Sequence, residues 1–198
     1  MARAVNEASG QPTEGEVPTG GALAFVTMAT RHVALLAASI ATCGSLFFSE
    51  VLGWLPCELC WLQRILMYPL VVILLVGILR NDRGVHLYGL PLALVGMGYS
   101  LYHYLDVLRV IPPTPCRGGV PCSFDYLSPY LTGPLAFIKI PFLALTAFAI
   151  ISVMLINHAL ADAPVLAPVA LRWSRIAALL IVGVTIIVFF GLGLAMRA

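Results

Sequence analysis

The chain has 198 residues, of which 61% are hydrophobic and only 10% are charged. A soluble domain carries about 25% charged residues, so this composition argues against a soluble domain and indicates a polytopic membrane protein. The formal net charge is +2 and the sequence contains no run of basic residues, so nothing in it indicates a nucleic-acid partner.

Each of five apolar stretches is close to the roughly 17–25 residues that cross a bilayer as a helix. In chain order they are residues 33–49, 61–79, 87–105, 140–156 and 176–196. Lipid offers no water to the backbone, so segments of this kind must form helices that pack into a bundle. The sequence therefore predicts an all-α membrane protein, in which a four-helix transmembrane bundle is followed by a fifth, C-terminal transmembrane helix.

The apolar stretches divide the chain into four parts. Residues 1–30, which begin with a segment containing Gly, Pro, Thr and Glu, are expected to form a disordered cytoplasmic tail. Residues 31–157 are expected to form the four-helix membrane domain, and residues 158–175 a cytoplasmic linker. Residues 176–198 then form the additional transmembrane helix, which looks separable from the four-helix core.

The placement of arginine predicts the orientation in the membrane. Arginines lie before the first span, between the second and third, and before the fifth, at Arg3, Arg31, Arg80, Arg83, Arg172 and Arg175. These are alternate connections, and the positive-inside rule places all three in the cytoplasm. We therefore expect a cytoplasmic amino terminus and an outward position for the two other connections, which carry four of the five cysteines.

Cys57 and Cys60 form a Cys-x-x-Cys pair where the second span begins. Pro56 ends any helix before the pair, so Cys60 is expected in the first turn of the next helix, where free N–H groups and the helix dipole favour a thiolate. Three interpretations are open: a structural staple, half of a zinc site completed by Cys116 and Cys122, or a redox-active pair. Redox activity is favoured, because strained disulfides are labile.

Arg64 lies four residues after Cys60, on the same face of the predicted helix. An arginine in a membrane span is costly, about 2.5–3.5 kcal/mol at the bilayer centre on insertion scales. One explanation is that its side chain reaches the lipid headgroups. The other is that it supplies a fixed positive charge beside a thiolate and an anionic bound cofactor, and such a charge disfavours a metal dication nearby.

Cys116 and Cys122 lie in a segment that contains four prolines and the turn-forming pair Gly118-Gly119. The prolines prevent a helix and the glycines permit a tight turn, so the two sulfurs can meet. We expect an exposed disulfide flanked by Arg117, which would help to stabilise an attacking or departing thiolate. The alternative is a disulfide that only stabilises the loop.

Tyr99, His103 and Asp106 are spaced i, i+4 and i+7 in the third span and are therefore predicted to share one helix face. Polar groups in a span usually face the bundle interior, where these three can line a cofactor pocket, relay a proton or simply pack. Glu50 is open to the same two kinds of interpretation. Cys43 has no partner in the sequence and is expected to be a buried, inert thiol.

Three segments together carry a resemblance to a known family. They are SEVLG at residues 49–53, PCELCWLQRILMYP at 56–69 and IPF at 140–142. These closely resemble the disulfide bond formation protein B (DsbB) family, with the greatest likeness to its BdbC-type branch, over roughly residues 30–157. The order of the cysteines agrees with DsbB, since the loop pair follows the Cys-x-x-Cys pair; in the related vitamin K epoxide reductase fold it precedes that pair.

The resemblance implies a thiol:quinone oxidoreductase of the bacterial cell membrane that supports disulfide formation in exported proteins. By analogy, a reduced thioredoxin-fold partner of the DsbA/BdbD type attacks Cys116, and Cys122 then exchanges with Cys57. Cys60 is left as a thiolate that passes electrons to a bound quinone, either menaquinone or ubiquinone. The direction is oxidising for the partner.

The resemblance also assigns residues to the quinone site. Arg64 matches the family arginine that favours the quinone, Cys60 adjoins it, and His103 is a further candidate on the third span. Two features depart from the family. Only five residues separate the loop cysteines, which is tighter than in the proteobacterial form, and the fifth span has no assigned role. A membrane metal-handling protein and a structural tetraspan with stabilising disulfides are the rival interpretations.

Overall fold

The computed structural model describes residues 19–113, 115–116, 120–160 and 168–197, with side chains described from residue 29 onward. Within these ranges the chain forms helices, turns and irregular connections, and no strand. The helices are α1 (Thr19–Leu46), α2 (Glu58–Arg80), α3 (Val85–Val107), α4 (Ile140–Leu160) and α5 (Pro168–Arg197). A π-helical turn, Phe47–Val51, extends α1, and a short 3₁₀ turn, Gly133–Leu135, precedes α4. The predicted all-α fold is confirmed.

The predicted tail is too long. Helix α1 begins at Thr19, so disorder is the wrong prediction for residues 19–30, while residues 1–18 lie outside the described part of the chain. Pro18 immediately precedes the helix, and no further proline occurs before Pro56. Proline is favoured at helix starts and disfavoured within them, so this spacing permits the long helix that forms.

The predicted linker, residues 158–175, is wrong at both ends. Helix α4 continues to Leu160, and α5 already begins at Pro168, a residue whose fixed φ suits the first turn of a helix. Only residues 161–167 remain between the two helices, and they lie outside the described ranges. Two apolar helices thus extend further than the charge-free stretches alone suggested.

Four helices of the described part are long and apolar enough to cross a membrane: Ala29–Val51, Glu58–Arg80, Ile140–Leu160 and Pro168–Arg197. The protein is therefore a multi-pass membrane protein. Helix α3 has 23 residues, the same length as α2, but contains more polar side chains and does not meet this criterion. It packs against both α2 and α4, which is the position of a fourth bundle helix.

Helices α1 to α4 form a closed bundle in which α1 and α3 each contact both α2 and α4. Its core includes fully buried side chains from three of them, Leu35, Leu70, Leu74, Phe148 and Leu155. Gly96 permits the close contact of α3 with α4, because a Cβ atom there would lie 2.2 Å from the Phe148 ring. The close packing of α3 against α4 therefore requires glycine at position 96.

Helix α5 is not separable from the rest of the structure. It packs along α1 and also contacts α2 and the π-helical turn. Its buried residues are Ser174, Ala178, Thr185 and Gly193, which recur at helical spacing along one stripe of mainly small side chains. Its other faces expose large apolar side chains, as expected for a helix that faces lipid on most of its circumference.

The connections at one end of the bundle are held together by aromatic rings. The Trp54 ring stacks between Phe48, at 5.2 Å between centroids, and Tyr126, at 5.1 Å. The Tyr126 hydroxyl donates a hydrogen bond to the Leu55 carbonyl over 3.1 Å. We call this end, formed by residues 52–57 and the described part of 108–139, the cysteine end.

Candidate functional site

Cys57 is the N-cap residue of α2. Its backbone is extended, at φ −74° and ψ 174°, and its sulfur accepts a hydrogen bond from the Cys60 N–H over 3.4 Å. The helix thus begins one residue after Cys57, and one of its free N–H groups points at that sulfur. The two Sγ atoms lie 2.9 Å apart, so little movement is needed to join them in a disulfide.

The pKa of the Cys57 thiol is lowered from its ordinary value. The largest cause is the hydrogen bond from the Cys60 thiol, and a hydrogen bond from His103 adds to it, against the opposing effect of burial. The sequence predicted instead that the helix start favours a thiolate on Cys60. In the reduced pair the structure favours Cys57, which receives hydrogen bonds from the Cys60 thiol, from His103 and from the Cys60 N–H.

Cys116 and Cys122 form a disulfide, with their Cα atoms 5.9 Å apart. The expectation of an exposed disulfide is wrong for Cys122, which is only 1% exposed, whereas Cys116 is half-buried. Cys122 is covered because its carbonyl accepts a hydrogen bond from the buried His103 ring. Arg117, expected to flank the pair, lies outside the described residues. Cys116 is therefore the more exposed residue of the loop disulfide.

The two cysteine pairs lie in one cluster. Cys57, Leu59 and Cys122 are buried together, with Cys60 and Cys116 packed against them. The sequence predicted that both pairs lie on the same side of the membrane, and the resemblance implied exchange between Cys122 and Cys57. The structure places all four cysteines in one cluster. Cys43 lies elsewhere, half-buried in α1, as a free thiol.

His103 connects the two pairs. Its Nε2 atom lies 2.9 Å from the Cys122 carbonyl oxygen and 3.7 Å from Cys57 Sγ. The Gln63 side-chain amide lies 3.1 Å from Nδ1 of the same ring. If the amide donates to Nδ1, Nε2 carries the hydrogen and donates to Cys122. Sequence reasoning missed Gln63, although a glutamine inside an otherwise apolar span was a signal that could have found it.

The three polar residues predicted to share a face of α3 are not equivalent. His103 and Asp106 are buried in the bundle, whereas Tyr99 is 40% exposed. Ser100 takes the interior position instead and is fully buried. The buried positions of α3 recur three and four residues apart through Gly96, Ser100 and His103, and Tyr99 is not among them.

Beneath the cysteines lies a cavity of about 460 Å³, lined mainly by apolar side chains of α1, α2, α4, α5 and the Trp54 segment. Cys60, Gln63 and Arg64 form part of its wall, and His103 does not. Cavities of roughly 300–1,000 Å³ hold small organic ligands, so its volume and lining suit an apolar molecule. Cys60 therefore faces the cysteine cluster on one side and the cavity on the other.

Arg64 is fixed in the cavity wall. Its Nη2 atom donates to the Ser45 carbonyl over 2.9 Å, and its guanidinium lies 5.5 Å from the centre of the Trp61 ring. Both contacts are within the protein, so the side chain is not simply directed to lipid headgroups. The structure supports the interpretation of Arg64 as a fixed positive charge near Cys60.

A metal ion is the alternative ligand of the cysteine end. Cys57, Cys60 and His103 offer ligand atoms that lie within 4.8 Å of one another. The four-cysteine set expected for zinc is not available, because Cys116 and Cys122 are joined to each other. Two thiolates on a tetrahedral zinc lie about 3.8 Å apart, given Zn–S bonds of about 2.3 Å, so sulfurs at 2.9 Å are closer than zinc requires.

A helical membrane bundle with a dithiol and a disulfide packed together at one end defines a membrane protein of thiol–disulfide exchange. The sequence model of the family described as "Disulfide bond formation protein DsbB" matches residues 27–139. The chain belongs to this family, as the resemblance predicted.

Named relatives agree with this assignment. The chain is 44% identical over 128 residues to "Disulfide bond formation protein C" of Bacillus subtilis (strain 168), a match that covers 63% of this chain and 88% of the relative. It is 48% identical over 120 residues to "Probable disulfide formation protein C" of Halalkalibacterium halodurans, covering 59% and 82%. A "Probable disulfide formation protein" of Deinococcus radiodurans is 38% identical over 136 residues, covering 63% and 84%. No solved structure matches the chain.

Proposed function

We propose that this protein is a thiol:quinone oxidoreductase that reoxidises an extracytoplasmic thioredoxin-fold oxidase of the DsbA/BdbD type and delivers the electrons to a membrane quinone. The observation that carries the proposal is the position of Cys60. It packs against the cluster of cysteines and also lines an apolar cavity that contains a fixed arginine. Electrons that arrive at the cysteine pair can therefore leave towards a lipid-soluble acceptor.

The first step is attack by the thiolate of the reduced partner on Cys116, the more exposed residue of the loop disulfide. The Cys116–Cys122 bond breaks, a mixed disulfide with the partner forms, and Cys122 leaves as a thiolate. The His103 N–H, which lies against the Cys122 carbonyl, is close to the cysteine that acquires this charge. Exchange of this kind needs a thiolate and a disulfide sulfur within its reach.

In the second step the Cys122 thiolate attacks Cys57 of the oxidised Cys57–Cys60 pair, and Cys60 leaves as a thiolate facing the cavity. The partner's second thiol then releases the oxidised partner and frees Cys116, which attacks Cys122 and restores the loop disulfide. Cys57 departs as a thiolate, a role that its lowered pKa favours, because thiols of low pKa are better leaving groups. The net result is one oxidised partner and a reduced Cys57–Cys60 pair.

A quinone suits the cavity in its apolar lining, its size and its charge. When bound, it accepts the two electrons and two protons that return Cys57 and Cys60 to the disulfide. Arg64 holds a positive charge at the wall where negative charge develops, and Gln63 joins that wall to His103. Nothing in the lining discriminates between menaquinone and ubiquinone, so both stay within the proposal.

We place the cysteine end outside the bacterial cell membrane and the amino terminus in the cytoplasm. Support comes from the distribution of arginine: Arg80 and Arg83 lie at the α2–α3 turn, and Arg31 donates a hydrogen bond to Asn81 of that turn. Arg172 and Arg175 lie near the start of α5, also opposite the cysteine end. Membrane proteins retain such clusters in the cytoplasm. An extracytoplasmic cysteine end meets the exported proteins in which disulfides persist.

The decisive test mixes the purified, quinone-loaded protein with a reduced DsbA-like partner and follows quinone absorbance. Serine variants of Cys57, Cys60, Cys116 and Cys122 should each lose turnover by more than about 100-fold, since thiolate chemistry has no substitute in serine. The matched control is Cys43→Ser, which should keep wild-type activity. Quinone reduction that survives Cys116→Ser would contradict the relay.

Two rival functions make different predictions. A metal-handling protein would bind stoichiometric zinc through Cys57, Cys60 and His103, and His103→Ala would release it; we expect no stoichiometric metal in the purified protein. A structural tetraspan would leave partner oxidation intact in Cys60→Ser; we expect it to disappear. Metal analysis and the turnover assay therefore separate the three functions.

A further inference from the structure

We propose that α5 is part of the quinone site, and that Phe189 supplies an aromatic wall against the quinone ring. The inference rests on the proposed function and extends it to a helix outside the segment that matches the family, which ends at residue 139. Three observations carry it: the register of α5 on α1, the contacts of the Phe189 ring, and the position of Phe189 relative to Arg64.

The register of α5 directs Phe189 inward. The buried stripe of this helix runs through Ala178, Thr185 and Gly193, and Phe189 lies midway between the last two, four residues from each. It is half-buried, whereas its neighbour Phe190 is 67% exposed and faces away. Two phenylalanines in succession thus have different surroundings, one against the bundle and one towards lipid.

The Phe189 ring packs against the end of α1. It lies edge-to-face with Phe47, at 6.1 Å between ring centroids. A Cβ atom on Gly44 would lie 3.8 Å from it, so the absence of a side chain at Gly44 leaves the ring in ordinary contact with the α1 backbone region. Beyond Phe189, the Arg197 guanidinium donates to the Glu50 carbonyl and fastens the end of α5 to the π-helical turn.

Phe189 lies beside the polar end of the cavity, where Arg64 forms part of the wall. Phe189 reaches Gly44, and the carbonyl of the next residue, Ser45, accepts the hydrogen bond from Arg64. Phe189 and Arg64 therefore line the cavity at the same level of α1, while Ala37 and Ile40 line it further along the helix. A ligand whose redox ring lies near Arg64 and Cys60 meets Phe189 with that ring, and meets the remaining apolar lining with its tail.

The test compares Phe189→Ala with Phe190→Ala in the full-length protein, using a short-tailed and a long-tailed quinone. Loss of an aromatic contact should raise the quinone KM of Phe189→Ala by about three- to tenfold for both quinones, with kcat within about twofold. Phe190→Ala should behave as wild type. Phe189→Leu keeps most of the side-chain volume, and its quinone KM should lie between those of the two alanine variants. It controls for a folding defect in Phe189→Ala.

Two further measurements separate this inference from the function on which it rests. Quenching of tryptophan fluorescence by quinone, in which Trp54 of the cavity wall participates, should show the same weakening of binding without turnover. A single turnover of partner oxidation without quinone should be unchanged in Phe189→Ala, because the cysteines are untouched.

Three outcomes distinguish the role of Phe189 from the proposed function. Wild-type protein that exchanges thiols but neither binds nor reduces quinone would overturn both proposals. Normal quinone reduction with Phe189→Ala equal to Phe190→Ala would overturn the role of α5 and leave the function standing. An effect confined to the long-tailed quinone would overturn the placement of Phe189 at the ring.

Discussion

Cys57 and His103 illustrate how single residues set the chemistry of the cysteine end. The sequence shows a Cys-x-x-Cys pair before an apolar run, and that pattern alone predicted a redox-active pair there. It did not show which residue begins the helix, and this one-residue difference decides which sulfur receives the N–H of the first turn. The contact of His103 with both pairs depends on the packing of α3 beside α2, which no local pattern specifies.

The pKa of Cys57 provides a prediction at this scale. Its folded value is lowered, so the thiolate persists below the pH at which an ordinary thiol, of pKa about 8.5, is protonated, and disappears only as the pH falls through the lowered value. Thiolate absorbance of the reduced protein, with Cys43, Cys116 and Cys122 changed to serine, should titrate with its first midpoint well below that of a free cysteine.

His103→Ala should move this midpoint upward, because one of the hydrogen bonds that stabilise the thiolate is removed. Leu101→Ala, a change at an exposed neighbour on α3, serves as the matched control and should leave the midpoint in place. A midpoint at the ordinary thiol value in the unaltered reduced pair would contradict the hydrogen bonds that Cys57 receives from Cys60 and His103.

Arg64 supports a second prediction. Arg64→Met keeps an apolar stem but removes the charge and the hydrogen bond to Ser45. The kcat/KM for quinone should fall by about 10- to 100-fold, which corresponds to the roughly 1.5–3 kcal/mol of a hydrogen bond to a charged group. A single turnover of partner oxidation should be unaffected. If that single turnover were lost instead, Arg64 would act in the thiol exchange and not at the quinone.

Among the helices, α1 and α5 show how much of a helix could be predicted from the sequence. Apolar length was sufficient to predict the existence of each helix. The boundaries of α1 and α5 were missed, because the absence of charge was used as the limit and both helices extend into more polar sequence. The attachment of α5 to α1 could not be predicted, since small residues along a stripe show that a helix can pack closely but not against which partner.

Two glycines of α3 allow a matched test of the helix packing. Gly96→Ala places a methyl group 2.2 Å from the Phe148 ring, an overlap that should lower the free energy of unfolding by about 1–3 kcal/mol. Gly98 has open space at the same position, so Gly98→Ala should be neutral or stabilising by up to about 1 kcal/mol. Unfolding midpoints in detergent measure both, and equal midpoints would contradict the described contact of α3 with α4.

For the whole molecule, the arrangement of charge and sulfur gives the protein two different ends. The four cysteines of the two pairs lie at one end. The arginines of the α2–α3 turn and of the start of α5 lie at the other end. Apolar composition predicted a membrane bundle, and the alternation of loops predicted that the two cysteine pairs share an end. Their assembly into one cluster above a cavity required the folded structure.

Reporter fusions test the orientation. Alkaline phosphatase is active only outside the cytoplasm, where its disulfides form. A fusion after Tyr130, at the cysteine end, should be active in bacterial cells, and a fusion after Arg83, in the α2–α3 turn, should be inactive. The reverse pattern would place the cysteines in the cytoplasm and contradict the proposed oxidation of exported proteins.

The proposed relay depends on exchange between the two cysteine pairs. In a Cys60→Ser, Cys116→Ser double variant, Cys57 and Cys122 keep their sulfurs but each lacks its usual partner. After mild oxidation, peptide mass analysis under non-reducing conditions should find Cys57 and Cys122 joined within one chain, because the two are buried in the same cluster. Two free thiols, or disulfides only between chains, would show that the pairs do not meet and would contradict the relay.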